Sequence, residues 1–313
     1  MTHAVIDIGT NTVILLIAKP KGKAGIEVVL DKAVITRLGQ GLTENHFFSP
    51  EAMKRTRAAL SDFAALCKQH KVKKIVAVAT AACRNSANTD VFLNAVKKEC
   101  GLKIEVISGE QEAEYAFRAA YQDFSKYKKI IVVDIGGGST EIITGPAQSK
   151  KGGPEHLISL PIGSVRLTEQ FVRSDPIISE EFHSLQRSIR NTLSDELDEF
   201  YPENFNSEDY EIVATAGTAT TLAAMILKLK NYKPEKVHGY KLRQEKLEKL
   251  LAEIAIASVR ERQKMPGIEP LRADVILAGG LVLHLILKHF KKESVTISDR
   301  GLRYGVFYKK FLK

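Results

Sequence analysis

Tryptophan is missing from the 313 residues, and aromatic residues of all kinds make up only 7%. Nothing here resembles the aromatic-rich strands that stack RNA bases, a zinc finger or a long basic tail, so nucleic acid is a disfavoured partner. Cysteine is nearly as scarce: Cys67, Cys83 and Cys100 lie far apart without metal-ligand spacing. Free thiols in a reducing compartment are expected. No stretch approaches the roughly 20 uninterrupted apolar residues of a membrane span. The opening MTHAVIDIGT carries an Asp within its apolar run and no charged leader, which does not read as a signal peptide. The expectation is a cytoplasmic protein with no membrane role.

What is present is basic. A net charge of +9 and a pI near 9.3 favour an anionic partner, with a merely solubilising surface as the competing reading. Hydrophobic content of 44% with 27% charge is that of a globular chain, and 313 residues exceed what one core usually supports. Two lobes are therefore expected, at 1–124 and 125–313, joined by a short hinge near Phe124, with the final helix packing back on the first lobe.

The apolar pattern supports this division. His3 to Ile8 and Val13 to Ala18 read as two strands around a tight turn, and Ile26 to Ala33 as a third. Pro50 to His70 reads as a helix with Ser49 as its N-cap, and Asp90 to Cys100 as one ended by Gly101. Between and after them, Lys74 to Thr80 and Lys103 to Ile107 are strands and Gly109 to Tyr121 a helix. Then the opening device returns. Lys129 to Asp134 and Thr140 to Thr144 flank a glycine-rich turn, so VIDIGTNTVILLI and VVDIGGGSTEIIT are two copies of strand, Asp-x-Gly turn, strand. The second half adds helices at Ser179 to Phe200, Arg243 to Arg260 and Leu281 to Phe290. Short strands are expected at Glu211 to Ala214, Val275 to Leu277 and Val295 to Ser298.

The two turns carry the chemistry. A phosphate approaches a backbone closely only where side chains are absent and N–H groups point outward. Gly9, Thr10, Asn11 and Thr12 form one such loop; Gly136, Gly137, Gly138, Ser139 and Thr140 form the other. Each follows an Asp at a strand end, Asp7 or Asp134. A carboxylate beside phosphate is repulsive unless a cation lies between them, which suggests Mg²⁺ or another divalent ion. Ordinary hairpin turns remain the plainer reading of either loop alone.

IDIGTNT (6–12) and DIGGGSTE (134–141) resemble the phosphate loops of the actin-like ATPase superfamily. With TAACRNSAN (80–88), ISGEQEAEYAF (107–117), PIGSVRLTE (161–169), TAGTATTLA (215–223) and SDRGLRYGV (298–306), the chain is identified as a member of the exopolyphosphatase and guanosine pentaphosphate phosphohydrolase family. It resembles the short members without the helical C-terminal extension. The resemblance covers nearly the whole chain and implies an α/β fold of two actin-like (ribonuclease H-like) lobes with the active site in the cleft between them. It implies hydrolysis of terminal phosphates from inorganic polyphosphate or guanosine pentaphosphate with Mg²⁺, leaves room for a monovalent cation such as K⁺, and allows a homodimer.

Residue roles follow from the same resemblance. Glu112 matches the general base that activates water, Glu141 the second carboxylate and candidate metal ligand beside Asp7 and Asp134, and Arg84 the phosphate-contacting arginine. Gly217 and Thr218 stand in a further glycine turn, as do Leu277 to Gly280. Arg166, Arg300 and Arg303 are candidates for holding the rest of the anion. Read from the residues alone, helix-dipole stabilisation competes for Glu112, a surface edge strand for Glu141 and a surface ion pair for Arg84. A small-molecule kinase of the same fold and a non-catalytic polyphosphate or alarmone binder stay open as alternatives.

The basic charge predicts that affinity for long polyphosphate falls steeply as salt is raised, which a titration at low and high ionic strength checks.

Overall fold

A computed structural model describes residues 1–22, 25–147, 154–201 and 205–312. In strand β1 (His3–Ile8), Ala4, Ile6 and Ile8 face one side and Val5 the other, and both sets are fully buried. A strand buried on both faces belongs at the centre of its sheet. β2 (Thr12–Lys21) and β3 (Gly25–Ile35) extend it as an antiparallel meander, and β4 (Lys74–Ala79) and β5 (Ile104–Val106) add in parallel on its other side. The order is β3-β2-β1-β4-β5. The helices between them are α1 (Leu42–Asn45), α2 (Pro50–Gln69), α3 (Ala81–Asn85), α4 (Thr89–Cys100) and α5 (Gly109–Asp123). Leu60 and Phe63 of α2 and Phe92 and Val96 of α4 cover the Ile6 face. The caps expected from sequence are in place: Ser49 accepts from Ala52 N at 3.1 Å, and Gly101 ends α4 at φ 68°.

The second sheet is built from β6 (Lys129–Ile135), β7 (Thr140–Pro146), β8 (His156–Leu160), β9 (Glu211–Thr215), β10 (Lys241–Arg243) and β11 (Ser294–Ile297), in the order β10-β11-β9-β6-β7-β8. Leaving out β10, it repeats the first sheet strand for strand: a three-strand antiparallel meander, then two parallel additions beside the first strand. The two copies of the turn motif thus open two copies of one sheet. The accompanying helices are α6 (Ser164–Phe171), α7 (Ser179–Phe200), α8 (Ala216–Ile226), α9 (Pro234–Val237), α10 (Gln244–Ile256), α11 (Val259–Arg262) and α12 (Ile276–His289), with 3₁₀ turns at Ser207–Asp209 and Pro270–Arg272.

One last helix, α13 (Leu302–Phe311), packs Val306 and Phe307 against Val5 and Leu16, on the sheet face that α5 covers with Tyr115 and Ala119. The chain accordingly divides into two compact units, Met1–Gln122 with Leu302–Lys313 and Asp123–Gly301.

Three sequence expectations are corrected. Val275 to Leu277 is not a strand, and Leu277 to Gly280 is not a turn; both belong to the start of α12, which is buried almost throughout. A continuous apolar run carries no period, so it cannot separate a buried strand from a buried helix. Gly279 and Gly280 serve packing, because a Cβ on them would meet Thr218 and Leu251. The expected helix Arg243 to Arg260 is two, α10 and α11, with Ser258 and Glu261 forming a capping box at the second.

In α13, a Cβ on Gly305 would fall on the carbonyl oxygen of Tyr115. Gly305→Ala gains about 1 kcal/mol of helix propensity, but a backbone oxygen cannot give way as a side chain would. A net loss of about 1–3 kcal/mol is expected, read as a Tm lowered by roughly 5 °C.

Candidate active site

In the first unit the β1–β2 turn is closed by Gly9 N donating to Thr12 O at 3.0 Å. Its other carbonyls are held from behind: Asn11 O accepts from Thr36 N and Arg37 N at 3.0 and 2.9 Å, and Thr10 O from Gly39 N at 2.9 Å. Because peptide planes are rigid, carbonyls fixed inward turn the intervening amides outward. The Asn11 side-chain amide nitrogen is buried with no hydrogen-bond partner among the described residues, an unmatched donor.

Strand alternation places Asp7 on the α5 face. Burial pushes its carboxyl up to about 7, the charge of Glu112 adding to the shift and Arg303 opposing it. Glu112 sits in the first turn of α5, which Ser108 and Gln111 start with a reciprocal capping box: Ser108 N donates to Gln111 Oε1 at 3.0 Å and Gln111 N to Ser108 Oγ at 3.1 Å. Only 9% of Glu112 is exposed. Arg84 Nη1, from the end of α3, donates to Glu112 Oε2 at 2.7 Å and to Ile107 O at 3.0 Å. Burial raises the Glu112 proton affinity, and the Arg84 charge, the Arg84 hydrogen bond and one from Thr80 pull it back. Arg84 and Glu112 are therefore one ion pair, half-hidden from water rather than on the surface.

The second unit repeats the turn. Gly136 N donates to Ser139 O at 3.0 Å, and the first amides of α6 hold the carbonyls: Ser164 N on Gly136 O at 2.9 Å, Val165 N and Arg166 N on Gly137 O at 2.9 and 3.0 Å. Gly163 must lack a side chain, since its Cβ would strike Gly137 and Gly138. Asp134 and Glu141 stand directly opposite one another across β6 and β7, and both are buried. Glu141, at 1% exposure, is no surface residue. Its Oε1 accepts from Ser139 Oγ at 2.8 Å and from Ser159 Oγ at 2.7 Å. Thr140, expected among the phosphate donors, gives its hydroxyl to Ile162 O and is fully buried, so its part is to tie β7 to residue 162.

Gly217 and Thr218 open α8 rather than a free turn. Thr218 packs on Gly279, and a Cβ on Gly217 would meet the guanidinium of Arg272, whose proton affinity burial lowers. Sequence reading missed Arg272 and Ser159. Of the other arginines, Arg300 is paired with Asp123 at 2.7 Å and Arg303 grips Asp31 with two bonds of 2.9 Å. Burial pushes the Cys83 thiol up to about 12, which removes it as a nucleophile.

Two buried carboxylates facing each other across a strand pair repel unless a cation is present, and hard oxygen donors suit Mg²⁺. Among the described residues no three acidic, histidine or cysteine side chains gather into a cage. A Mg²⁺ site completed by phosphate oxygens and water needs only one or two carboxylates, so the donor set fits. No helix among the described residues is long and apolar enough to cross a membrane.

A model of the Ppx/GppA phosphatase family matches residues 16–313. The chain belongs to that family. The crystal structure of the Aquifex aeolicus member of the Ppx/GppA family superposes with a TM-score of 0.81 at 36% identity, over 100% of this chain and 98% of that one. The lobes are those of the actin-like fold. Exopolyphosphatase 2 of Mycobacterium tuberculosis is 32% identical over 97% of this chain and 96% of its own length. A bifunctional 3-dehydroquinate synthase/phosphatase of Fusobacterium nucleatum is 33% identical, and there the Ppx/GppA chain spans 46% of the longer protein.

For Asp7 the sign of the pH effect is fixed by its raised proton affinity. The folded protein holds that proton up to about pH 7, whereas the unfolded chain releases it near pH 4, so stability falls as pH rises through this window. Asp7→Asn is expected to raise Tm at pH 8 and leave it unchanged at pH 3.5; equal Tm values at pH 8 would mean the carboxylate is not under strain.

Proposed function

We propose that this Ppx/GppA phosphatase is an exopolyphosphatase that hydrolyses terminal phosphates from inorganic polyphosphate, and that guanosine pentaphosphate, losing its 5′-terminal phosphate, is a second substrate. The observation that carries the reading is the part-buried Arg84–Glu112 pair at 2.7 Å. Hydrolysis of a phosphoanhydride needs a base for water beside a cation for the phosphoryl oxygens, and this pair supplies both.

In this reading the turn amides of Thr10, Asn11, Thr12, Gly137, Gly138 and Ser139 take phosphate oxygens, and the Asn11 side-chain amide finds its acceptor. Arg84 turns part of its fork to the terminal phosphoryl group. Glu112 accepts the proton of the attacking water at a carboxylate oxygen; burial has moved its proton affinity toward neutrality, where a general base works best. Asp134 and Glu141, opposite one another on β6 and β7, would hold Mg²⁺, which when bound neutralises phosphate charge. Gly217 lets Arg272 lie against the start of α8, adding a positive charge at a helix N-terminus, an arrangement that favours an anion. The net charge of +9 suits a long polyanion. We place the protein in the cytoplasm, where the free thiols of Cys67, Cys83 and Cys100 stay reduced.

Phosphate release by the purified protein with Mg²⁺ from polyphosphate, guanosine pentaphosphate and ATP tests the reading. Glu112→Gln should lower turnover by about 10²–10⁴-fold with polyphosphate binding retained; equal loss of binding and rate would make Glu112 structural. Arg84→Ala should raise KM and lower kcat together. Release from ATP alone, or only with a sugar acceptor, would favour a kinase, and binding without release a polyphosphate sensor.

A further inference from the structure

Glu141 is buried to 1% exposure, yet two hydroxyls converge on a single one of its oxygens. One comes from the glycine turn itself, Ser139 Oγ at 2.8 Å on Oε1. The other comes from the neighbouring strand, Ser159 Oγ at 2.7 Å on the same Oε1. The β7–β8 register sets Ser159 directly opposite Glu141, so the contact is a cross-strand pair rather than a chance approach. A carboxylate held at one oxygen by donors from two directions cannot turn about its last torsion without breaking at least one bond. Its plane is fixed relative to the turn that precedes it. β8 is an edge strand and Ser159 is exposed there, so its hydroxyl is not needed to fill the core.

We infer that Ser159 is a positioning residue for the reaction: it holds the Glu141 carboxylate in the plane the glycine turn requires, without touching substrate. The inference rests on the proposed hydrolase reading of the site. Ser139 alone cannot supply this constraint, because it belongs to the turn and moves with it. Ser159 ties the carboxylate to a different strand, so the turn and the carboxylate are registered against the sheet. In catalysis a carboxylate rotated out of line loses rate while substrate still binds.

The test compares Ser159→Ala and Ser159→Thr, each in the unaltered protein and with Glu141→Gln, by phosphate release from polyphosphate. Ser159→Ala is expected to lower kcat about tenfold with KM within about twofold. Ser159→Thr, which keeps a hydroxyl on a residue suited to strands, restores kcat. With Glu141→Gln present, Ser159→Ala removes nothing further, since its effect runs through that carboxylate. A normal kcat for Ser159→Ala, a loss that Thr does not restore, or the same tenfold loss in the Glu141→Gln background overturns the positioning role and leaves the hydrolase reading standing. No phosphate release from the unaltered protein overturns that reading first.

Discussion

An ionised carboxylate taken out of water loses several kcal/mol of hydration unless charge or hydrogen bonds replace it, and this chain places Asp7, Glu112, Asp134 and Glu141 where water is scarce. Three of them are answered in different ways. Glu112 has Arg84 and Thr80. Glu141 has two serine hydroxyls. Asp7 is left close to neutral by burial and by the charge of Glu112. Much of the local architecture serves these placements: the Ser108–Gln111 capping box that starts α5 three residues before Glu112, the segment around Thr36 to Gly39 behind the first turn, and α6 behind the second. The carboxylates are costly, and the turns beside them are rigid because their carbonyls are already bonded.

The repetition of the turn is the second organising fact. Gly9 N to Thr12 O and Gly136 N to Ser139 O are the same bond in two places, at the same 3.0 Å. The backing differs. In the first unit three amides of an irregular segment hold the carbonyls, while in the second the N-terminus of a helix does so. A duplicated sheet can thus keep one backbone geometry at its turn while the structure behind it diverges.

Much of this was legible in the residues. Apolar runs on either side of a tight turn marked the opening strands, Ser49 and Gly101 marked helix ends, and the two Asp-x-Gly turns marked the duplication. What was not legible had physical reasons. The start of α12 is apolar on every side, so no period distinguished helix from strand. Ser159 is a single small polar residue whose importance depends on the β7–β8 register, and register is a long-range property. Arg272 acquires meaning only because Gly217, distant in sequence, leaves room for its guanidinium. Ser108-Gly109-Glu110-Gln111 forms the capping box that goes with the expected start of α5 at Gly109. Thr140 shows the opposite error: a hydroxyl in a glycine-rich motif invites a ligand role, but this one is bonded to Ile162 O.

The first unit is closed by α13, whose residues follow the whole of Asp123–Gly301 in the chain. On the ribosome, then, the sheet face formed by Val5, Leu16 and Val78 is made early but stays partly bare until nearly two hundred further residues have emerged. The second unit, continuous in sequence, is free to fold during that interval. The unit whose synthesis starts before Asp123–Gly301 is therefore completed only after it, with an apolar sheet face left open in the interval.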